Sequence, residues 1–270
     1  MINIGKDKIN SVVEVFAHRG FSGPHPEMTI GAFTAAIDLA RERDARLGIE
    51  CDVHFTADGE LGCLHDAGLE RTAGIDEPMI NFTLADLARI DFGRWRTDLN
   101  RLTDEDRQFT SLRRLFELVR DARADGVDVH LAVENKHPVP RDTEVEDALA
   151  ALLTDFGWDA DGAPVRMITF DPSGLARMRA SVPSLPLTYL IASTQAWPYE
   201  GVTSDIAIGA SAQMLQADPT LADRIVDAGH ECHVWTVNEP ADIRAALDLG
   251  LTALTTDHPD RVLDAIDSRG

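Results

Sequence analysis

Short runs of β-branched and apolar residues alternate with amphipathic helical stretches along the whole chain. Because parallel strands need a covering crossover element between them, this alternation predicts a parallel sheet. Eight such runs within 270 residues favour a closed (β/α)8 barrel over an open sheet. The predicted barrel strands cover residues 12–17, 47–53, 127–135, 166–170, 186–191, 205–210, 231–237 and 251–257.

The predicted helices follow the 3.6-residue period of an amphipathic helix. Ile30, Phe33 and Ile37 share one face behind Thr29, a residue type that caps helices well. The next helix repeats the pattern with Leu112, Leu115, Phe116 and Val119. Further helices are predicted over residues 143–153, 173–180, 221–228, 240–249 and 259–266.

Two segments between the second and third barrel strands break the alternation. Residues 55–64 form a predicted hairpin with its turn at Ala57-Asp58-Gly59, and residues 93–108 are polar without helical periodicity. We interpret them as one insertion, at about residues 55–110, that lies over the active-site end like a lid. No linker or repeat divides the chain, so residues 1–270 are expected to form a single domain.

The net charge excludes several classes of partner. Acidic residues outnumber basic ones by 46 to 25, which gives a formal charge of −21. Such a surface repels phosphate backbones and anionic lipids, so no nucleic-acid partner and no stable membrane insertion are expected.

No stretch is apolar enough to span a bilayer, the amino terminus lacks the apolar core of a signal peptide, and three scattered cysteines form no disulfide framework. The sequence therefore predicts a soluble cytoplasmic protein; it does not indicate an oligomeric state.

Three carboxylates are expected to converge at the carboxyl ends of the barrel strands. Glu50 and Asp52 share one side of their strand, and Glu134 and Lys136 share one side of theirs, because side chains alternate with a period of two. A hard divalent cation, Mg²⁺ or Ca²⁺, would relieve the repulsion between these acids. The alternative is a structural network in which Arg19 and Lys136 pair with them.

Histidines at the same strand ends suggest proton transfer. His18 ends the first strand, and His65 reaches the same mouth if the hairpin folds back over it. Two imidazoles beside a metal suit a reaction that removes one proton and delivers another, and Arg19 and Lys136 suit the oxygens of a phosphate ester. Trp235 offers an apolar face to a ligand or fills the barrel, and His54 could support the metal ligands.

The order of short motifs resembles the glycerophosphodiester phosphodiesterase family along roughly the whole chain. The single motifs are weak, whereas their collinear order is specific. One position departs from the family pattern, because Met28 stands where the family usually has Asn. The matching pieces are Ala17-His18-Arg19-Gly20, Pro26-Glu27-Met28-Thr29, Glu50-Cys51-Asp52-Val53-His54, Thr56 to Asp66, Leu69-Glu70-Arg71-Thr72, Glu134-Asn135-Lys136, Trp235-Thr236-Val237-Asn238 and Thr256-Asp257-His258-Pro259.

The resemblance implies a (β/α)8 barrel that hydrolyses glycerophosphodiesters to glycerol 3-phosphate and an alcohol with one divalent metal ion. Two alternatives stay open: a lysophospholipase D-type activity on an acylated substrate, for which Phe92, Trp95 and Leu99 could line an apolar groove, and a catalytically weak protein that binds a phosphate ligand.

By position the resemblance implies these roles: Glu50, Asp52 and Glu134 as metal ligands, His18 and His65 as the acid–base pair, Arg19 and Lys136 at the phosphate, Trp235 near the alcohol, and Glu27 in support.

Overall fold

The chain folds around a closed barrel of eight parallel strands. The computed structural model describes residues 13–194, 197–198 and 201–269. Neighbouring strands pair in the order β1-β9-β8-β7-β6-β5-β4-β2, and pairing between β1 and β2 closes the barrel, while β3 lies antiparallel to β2 outside it. The predicted barrel is therefore confirmed. The strands are β1 (Glu14–Ala17), β2 (Leu47–Phe55), β3 (Leu61–Cys63), β4 (Val129–Asn135), β5 (Val165–Thr169), β6 (Leu187–Ile191), β7 (Ala207–Ser211), β8 (Cys232–Trp235) and β9 (Ala253–Thr256).

Each predicted barrel strand overlaps one of the eight, although residue 12 lies outside the described part of the chain. The predicted helices also form, together with three short helices that were not predicted, α2, α3 and α7. The helices are α1 (Ile30–Arg43), α2 (Glu70–Ala73), α3 (Leu84–Leu87), α4 (Leu112–Ala124), α5 (Val145–Phe156), α6 (Pro172–Ser181), α7 (Ala212–Ala217), α8 (Leu221–Asp227), α9 (Pro240–Asp248) and α10 (Pro259–Asp267).

Side-chain caps explain where the main helices begin. The Thr29 hydroxyl accepts a hydrogen bond from the Ala32 amide at the start of α1, as its position in the sequence predicts. Ser111 caps α4 in the same way, and the Asp171 carboxylate accepts two amides at the start of α6. These caps satisfy amide groups that a helix leaves without partners at its first turn.

The alternation of side chains along each strand divides the apolar residues into two layers. Ile49, Cys51 and Val53 of β2 point outward into the large core between the barrel and its helices. A smaller cluster fills part of the barrel itself; it consists of Phe16, Ala132, Ile168, Leu190 and Ala253, with Phe170 and Trp235 packed against it. The inward positions at the carboxyl ends of the strands are left to polar residues.

The segment between β2 and α4 has a small hydrophobic core of its own. Leu64, Leu69, Met79, Leu87 and Phe92 pack together there, apart from the main core. The Leu64 amide donates to the Asp52 carbonyl, which ties the segment to the carboxyl end of β2. The segment thereby brings the residues that follow Leu64 to the mouth of the barrel. Within the described residues, no helix is long and apolar enough to cross a membrane.

Candidate active site

Three buried carboxylates meet at the mouth of the barrel. Glu50, Asp52 and Glu134 each offer an oxygen, and these oxygens lie within 4.8 Å of one another. The strand register explains the meeting, because Asp52 on β2 stands opposite Glu134 on β4 and Glu50 lies two residues below Asp52 on the same side. The exposed fraction of the three residues is 7% or less. The convergence predicted from the period of two is thus present in the structure.

Two cations lie against these acids. The Lys136 ammonium is 2.7 Å from an Asp52 oxygen and 2.6 Å from a Glu134 oxygen. The Arg19 amide donates to the Glu50 carboxylate at 2.9 Å, and its guanidinium lies 3.5 Å from Asp52. The mouth therefore combines three negative groups with two positive ones, and both alternatives drawn from the sequence are represented in its geometry.

The two cations do not fully offset the effect of burial and mutual repulsion on the pKa values of the three acids. Burial and the charges of Asp52 and Glu134 raise the pKa of Glu50 well above its usual value. Burial and the charge of Asp52 raise the pKa of Glu134 to about 8. Burial also opposes ionisation of Asp52, but Lys136 and Arg19 outweigh it and hold its pKa below the usual range. An added divalent cation would favour ionisation of all three acids.

The donor set fits a hard divalent metal ion. All three side chains supply carboxylate oxygens, which Mg²⁺ and Ca²⁺ prefer. One Asp52 oxygen is buried and has no hydrogen-bond donor among the described residues, so it remains available as a ligand. The residues present therefore match the cation expected from the sequence.

His18 is held by a carboxylate from the far end of the chain. Its Nδ1 lies 2.6 Å from an Asp257 oxygen. The Asn238 amide donates to the other Asp257 oxygen at 2.6 Å, and the Ser22 hydroxyl donates to Asp257 at 3.2 Å. His18 also lines the cavity at the barrel mouth. With Nδ1 engaged by Asp257, the Nε2 atom is left for a ligand.

A chain of ion pairs connects His65 to the carboxylate cluster. The His65 Nδ1 lies 2.7 Å from Asp66, and Asp66 pairs with Arg71 at 2.6 Å. Arg71 also donates to both oxygens of Glu27, and Glu27 accepts from Arg19 at 2.9 Å. Burial opposes the charge on Asp66, but Arg71 and His65 lower its pKa to about 2. Glu27 thus contacts both Arg19 and Arg71.

The imidazole of His65 is partly withdrawn from water. Burial lowers its pKa below the usual value, and the positive charges of Lys136 and Arg19 act in the same direction. His54, expected to support the metal ligands, instead holds the His65 backbone: its Nε2 lies 3.1 Å from the His65 carbonyl oxygen. His65 is therefore positioned by groups on both sides of it.

A cavity of about 320 Å³ opens at this mouth and continues down inside the barrel. His18, Arg19, Glu50, His65, Glu134 and Lys136 line its upper part. Trp235 forms part of the wall, and its indole N–H donates to the Gly209 carbonyl at 3.1 Å while its ring stands at right angles to that of Phe170. Trp235 therefore packs in the barrel wall and also exposes part of its ring to the cavity.

Sequence reasoning missed the residues that orient the two histidines. Asp257, Asn238, Asp66 and Arg71 all occur in the motifs quoted above, and an acid directly after a histidine at a strand end was the available signal for Asp66. The prediction that Phe92 lines an apolar groove is wrong, because Phe92 is 4% exposed and packs inside the small core. Neither Phe92, Trp95 nor Leu99 lines the cavity.

Met28 occupies a backbone conformation that explains the family preference. Its φ is 61°, in the left-handed region, which Asn enters more readily than Met. The Met28 side chain is 3% exposed and belongs to the main core. Glu27, which precedes Met28, contacts Arg19 and Arg71.

Comparisons with known proteins find similar sequences along nearly the whole chain. The family model described as the glycerophosphoryl diester phosphodiesterase family matches residues 18–261. The "Probable glycerophosphodiester phosphodiesterase 1" of Mycobacterium tuberculosis is 34% identical over 254 residues, which is 92% of this chain and 90% of that protein. The glycerophosphodiester phosphodiesterase of Bacillus subtilis is 29% identical and covers 90% of this chain and 83% of its own.

The fold is shared with solved structures as well. The structure of an Oleispira antarctica phosphodiesterase, in complex with the product sn-glycerol-3-phosphate, aligns with a TM-score of 0.77 at 24% identity. The alignment covers 94% of this chain and 96% of that one. At this identity the likeness establishes the barrel.

Proposed function

Because the chain belongs to the glycerophosphoryl diester phosphodiesterase family, we propose that it hydrolyses glycerophosphodiesters to glycerol 3-phosphate and an alcohol with one bound Mg²⁺ or Ca²⁺. The observation that carries this proposal is the buried set of Glu50, Asp52 and Glu134, whose oxygens lie within 4.8 Å of one another between two histidines that face one cavity. A cation held by these acids would neutralise the charge that develops on the phosphoryl oxygens.

Arg19 and Lys136 are assigned to the phosphate. Both side chains line the cavity beside the carboxylates, and both carry positive charge there. Their charges would bind a diester anion and stabilise the transition state, in which negative charge increases on the transferred group. Because the protein's formal charge is −21, such local cations are needed for any anionic substrate to enter.

We assign His65 as the general base and His18 as the general acid. The lowered pKa of His65 favours its neutral form at neutral pH, which can take a proton from the attacking oxygen of water or of a neighbouring glycerol hydroxyl. The Asp257 carboxylate holds Nδ1 of His18 at 2.6 Å and leaves Nε2 for proton delivery to the departing alkoxide. Asp257 and Asp66 then orient the two rings.

Trp235 is assigned to the alcohol arm of the substrate. Its ring faces the cavity, and its hydrogen bond to Gly209 fixes its orientation. Trp235→Ala is expected to change the relative rates on different alcohols, whereas Arg19→Ala and Lys136→Ala are expected to weaken turnover of every phosphodiester. Equal losses on all diesters for Trp235→Ala would contradict this role.

The proposal is tested by hydrolysis of a panel of glycerophosphodiesters and of bis(p-nitrophenyl) phosphate, each with and without EDTA. We expect release of glycerol 3-phosphate that EDTA abolishes and added Mg²⁺ or Ca²⁺ restores. Faster turnover of a lysophospholipid than of deacylated diesters would support the lysophospholipase D-type activity instead. Binding of glycerol 3-phosphate without turnover of any diester would support a phosphate-binding protein.

A further inference from the structure

The cavity below the metal-binding acids reaches far deeper than the mouth of the barrel. Its lining continues from Glu134 and Lys136 down to Arg166, Thr188 and His233. The space exists because inward positions that bulky residues usually fill in such barrels carry Ala132 and Gly209. A side chain at position 209 would contact Leu190 at 2.6 Å and reduce this space. We call the lower part, bounded by Arg166, Thr188 and His233, the floor.

The floor carries a cation that the protein does not fully satisfy. A guanidinium has five N–H donors, yet the hydrogen bond found for Arg166 among the described residues is one, to the Thr188 hydroxyl at 3.1 Å. Its ion pair with Glu231 spans 3.9 Å, and that carboxylate is 60% exposed. Burial lowers the pKa of Arg166, and the carboxylates of Glu14 and Glu231 offset only part of that effect. A negatively charged ligand group would supply the missing acceptors.

The distance from the floor to the reaction centre matches the length of a small substrate arm. In the pairing of β4 with β5, Arg166 stands opposite Ala132, and Ile168 stands opposite Glu134. Along the strands Arg166 is therefore two residues, about 7 Å, below Glu134, and it lies at the level of Glu50, which also stands opposite Ala132. A molecule whose phosphate lies between Arg19 and Lys136 can extend one short arm down to the Arg166 guanidinium.

We propose that the alcohol arm of the substrate enters this cavity, and that Arg166 selects an arm ending in a carboxylate or similar anionic group over one ending in a quaternary ammonium. The inference rests on the proposed function and specifies its substrate class. Glycerophosphoserine, whose arm carries a carboxylate beside its ammonium group, is then a better substrate than glycerophosphocholine, whose arm carries a cation alone. A choline arm would place a second cation near Arg166 in a region of low dielectric, which is unfavourable.

Other occupants of the cavity make different predictions. A bound glycerol arm would contact Arg166 in every glycerophosphodiester alike, so loss of Arg166 would affect all of them equally. An acyl chain in the cavity would bury the guanidinium against apolar carbon. Hydrolysis of a lysophospholipid would therefore become faster when Arg166 is replaced. The ratio of rates on two substrates that differ in the charge of the alcohol arm therefore distinguishes these possibilities.

The experiment measures kcat/KM for glycerophosphoserine and glycerophosphocholine in the wild type, Arg166→Met and Arg166→Lys. We expect the wild type to favour the serine diester, and Arg166→Met to reduce that preference roughly 10–100-fold, the effect of losing a hydrogen bond between charged groups. Arg166→Lys keeps the positive charge and is expected to keep most of the preference. Arg179→Met is the matched control, because Arg179 lies at the same end of the barrel, pairs with Asp205 at 2.6 Å and does not line the cavity.

A binding measurement separates this inference from the proposed function. Calorimetric titration of both diesters into His65→Ala, with and without the added Arg166→Met change, reports the preference without turnover. If neither diester is hydrolysed by the wild type, the proposed function is wrong, and the titration still decides the inference. Equal loss of both diesters in Arg166→Met, or a wild-type preference for the choline diester, would overturn it. If Arg166→Met does not fold, Arg166→Gln, which keeps a polar side chain but removes the charge, is expected to reduce the same preference.

Discussion

The Nδ1 of His18 lies 2.6 Å from the carboxylate of Asp257, a residue 239 positions further along the chain. Burial alone would raise the pKa of Asp257. The hydrogen bonds that Asp257 makes with His18, Asn238 and Ser22 outweigh burial and lower this pKa below its usual value. The pairing joins the first strand of the barrel to the residue that follows the last one, β9, across the seam where β1 pairs with β9. Barrel closure is therefore what orients the proposed general acid.

Asp257→Asn is expected to lower kcat roughly 10–100-fold while the barrel stays folded. An amide at this position can present its NH2 group to Nδ1 of His18 and so permits the wrong tautomer of the ring. The measurement is kcat against pH, with Asp242→Asn on α9 as a control, because Asp242 bonds to Gln216 away from the cavity. An unchanged rate and an unchanged pH profile for Asp257→Asn would show that His18 does not need this carboxylate.

His18→Ala and His65→Ala are each expected to lower the rate on glycerophosphodiesters roughly 10²–10⁴-fold. The two variants should differ on bis(p-nitrophenyl) phosphate, whose leaving group needs no proton. His18→Ala, which lacks the proposed acid, should recover much of its loss there, whereas His65→Ala should not. Recovery by His65→Ala alone would exchange the two roles, and near-normal rates for both on glycerophosphodiesters would rule out the two-histidine mechanism.

Arg71→Lys is expected to lower kcat roughly tenfold, with a smaller effect on KM. A lysine cannot bridge Glu27 and Asp66 at the same time with the fork of donors that Arg71 uses for both. His65 and Arg19 would then be held less firmly, so the limb of the pH–rate profile that belongs to His65 should shift. Arg89→Lys is the control from the same segment, because its side chain is 79% exposed.

The contribution of His130 to the free energy of unfolding is expected to fall as the pH drops from about 6.5 toward 4. Burial lowers the pKa of His130 to about 4, so between these pH values the folded state binds fewer protons than the unfolded state. The loss attributable to His130 has an upper bound of about 3 kcal/mol. Denaturant titrations at several pH values should show a shallower dependence for His130→Gln than for the wild type.

His130 will not account for the whole pH dependence, because burial lowers the pKa of His54, His65 and His233 as well. These groups act in the same direction, whereas the raised pKa values of Glu50 and Glu134 act in the opposite one, so the effect of His130 is the difference between the two slopes. An identical slope in the variant and the wild type would show that His130 is not kept neutral by the fold.

Much of the fold and the core of the site could be predicted from local patterns. The period of two places Glu50 and Asp52 on one side of β2, and the pairing of parallel strands brings Glu134 to the same edge. The helix cap at Thr29 is equally local, since it needs one hydroxyl and one amide three residues away. Such features depend on near neighbours and the general geometry of strands and helices.

What could not be predicted depends on contacts between distant segments. The pairing of Asp257 with His18 requires knowledge of how the barrel closes, and the bridge from Arg71 to Glu27 requires the position of the segment after β3. Phe92 looked available to a ligand because its neighbours are polar, yet it packs with Leu64 and Leu87. The depth of the cavity arises from small residues on separate strands, which no single run of sequence displays.

The central claim, that Glu50, Asp52 and Glu134 hold the divalent cation required for hydrolysis, is tested most directly by metal titration. Calorimetry with Mg²⁺ and with Ca²⁺ on EDTA-treated protein should show a single site in the wild type. Asp52→Asn should lose that site together with activity while remaining folded, and Asp264→Asn, on the surface beside Arg43, should keep both. Full activity of the metal-free wild type, or unchanged metal affinity in Asp52→Asn, would contradict the claim.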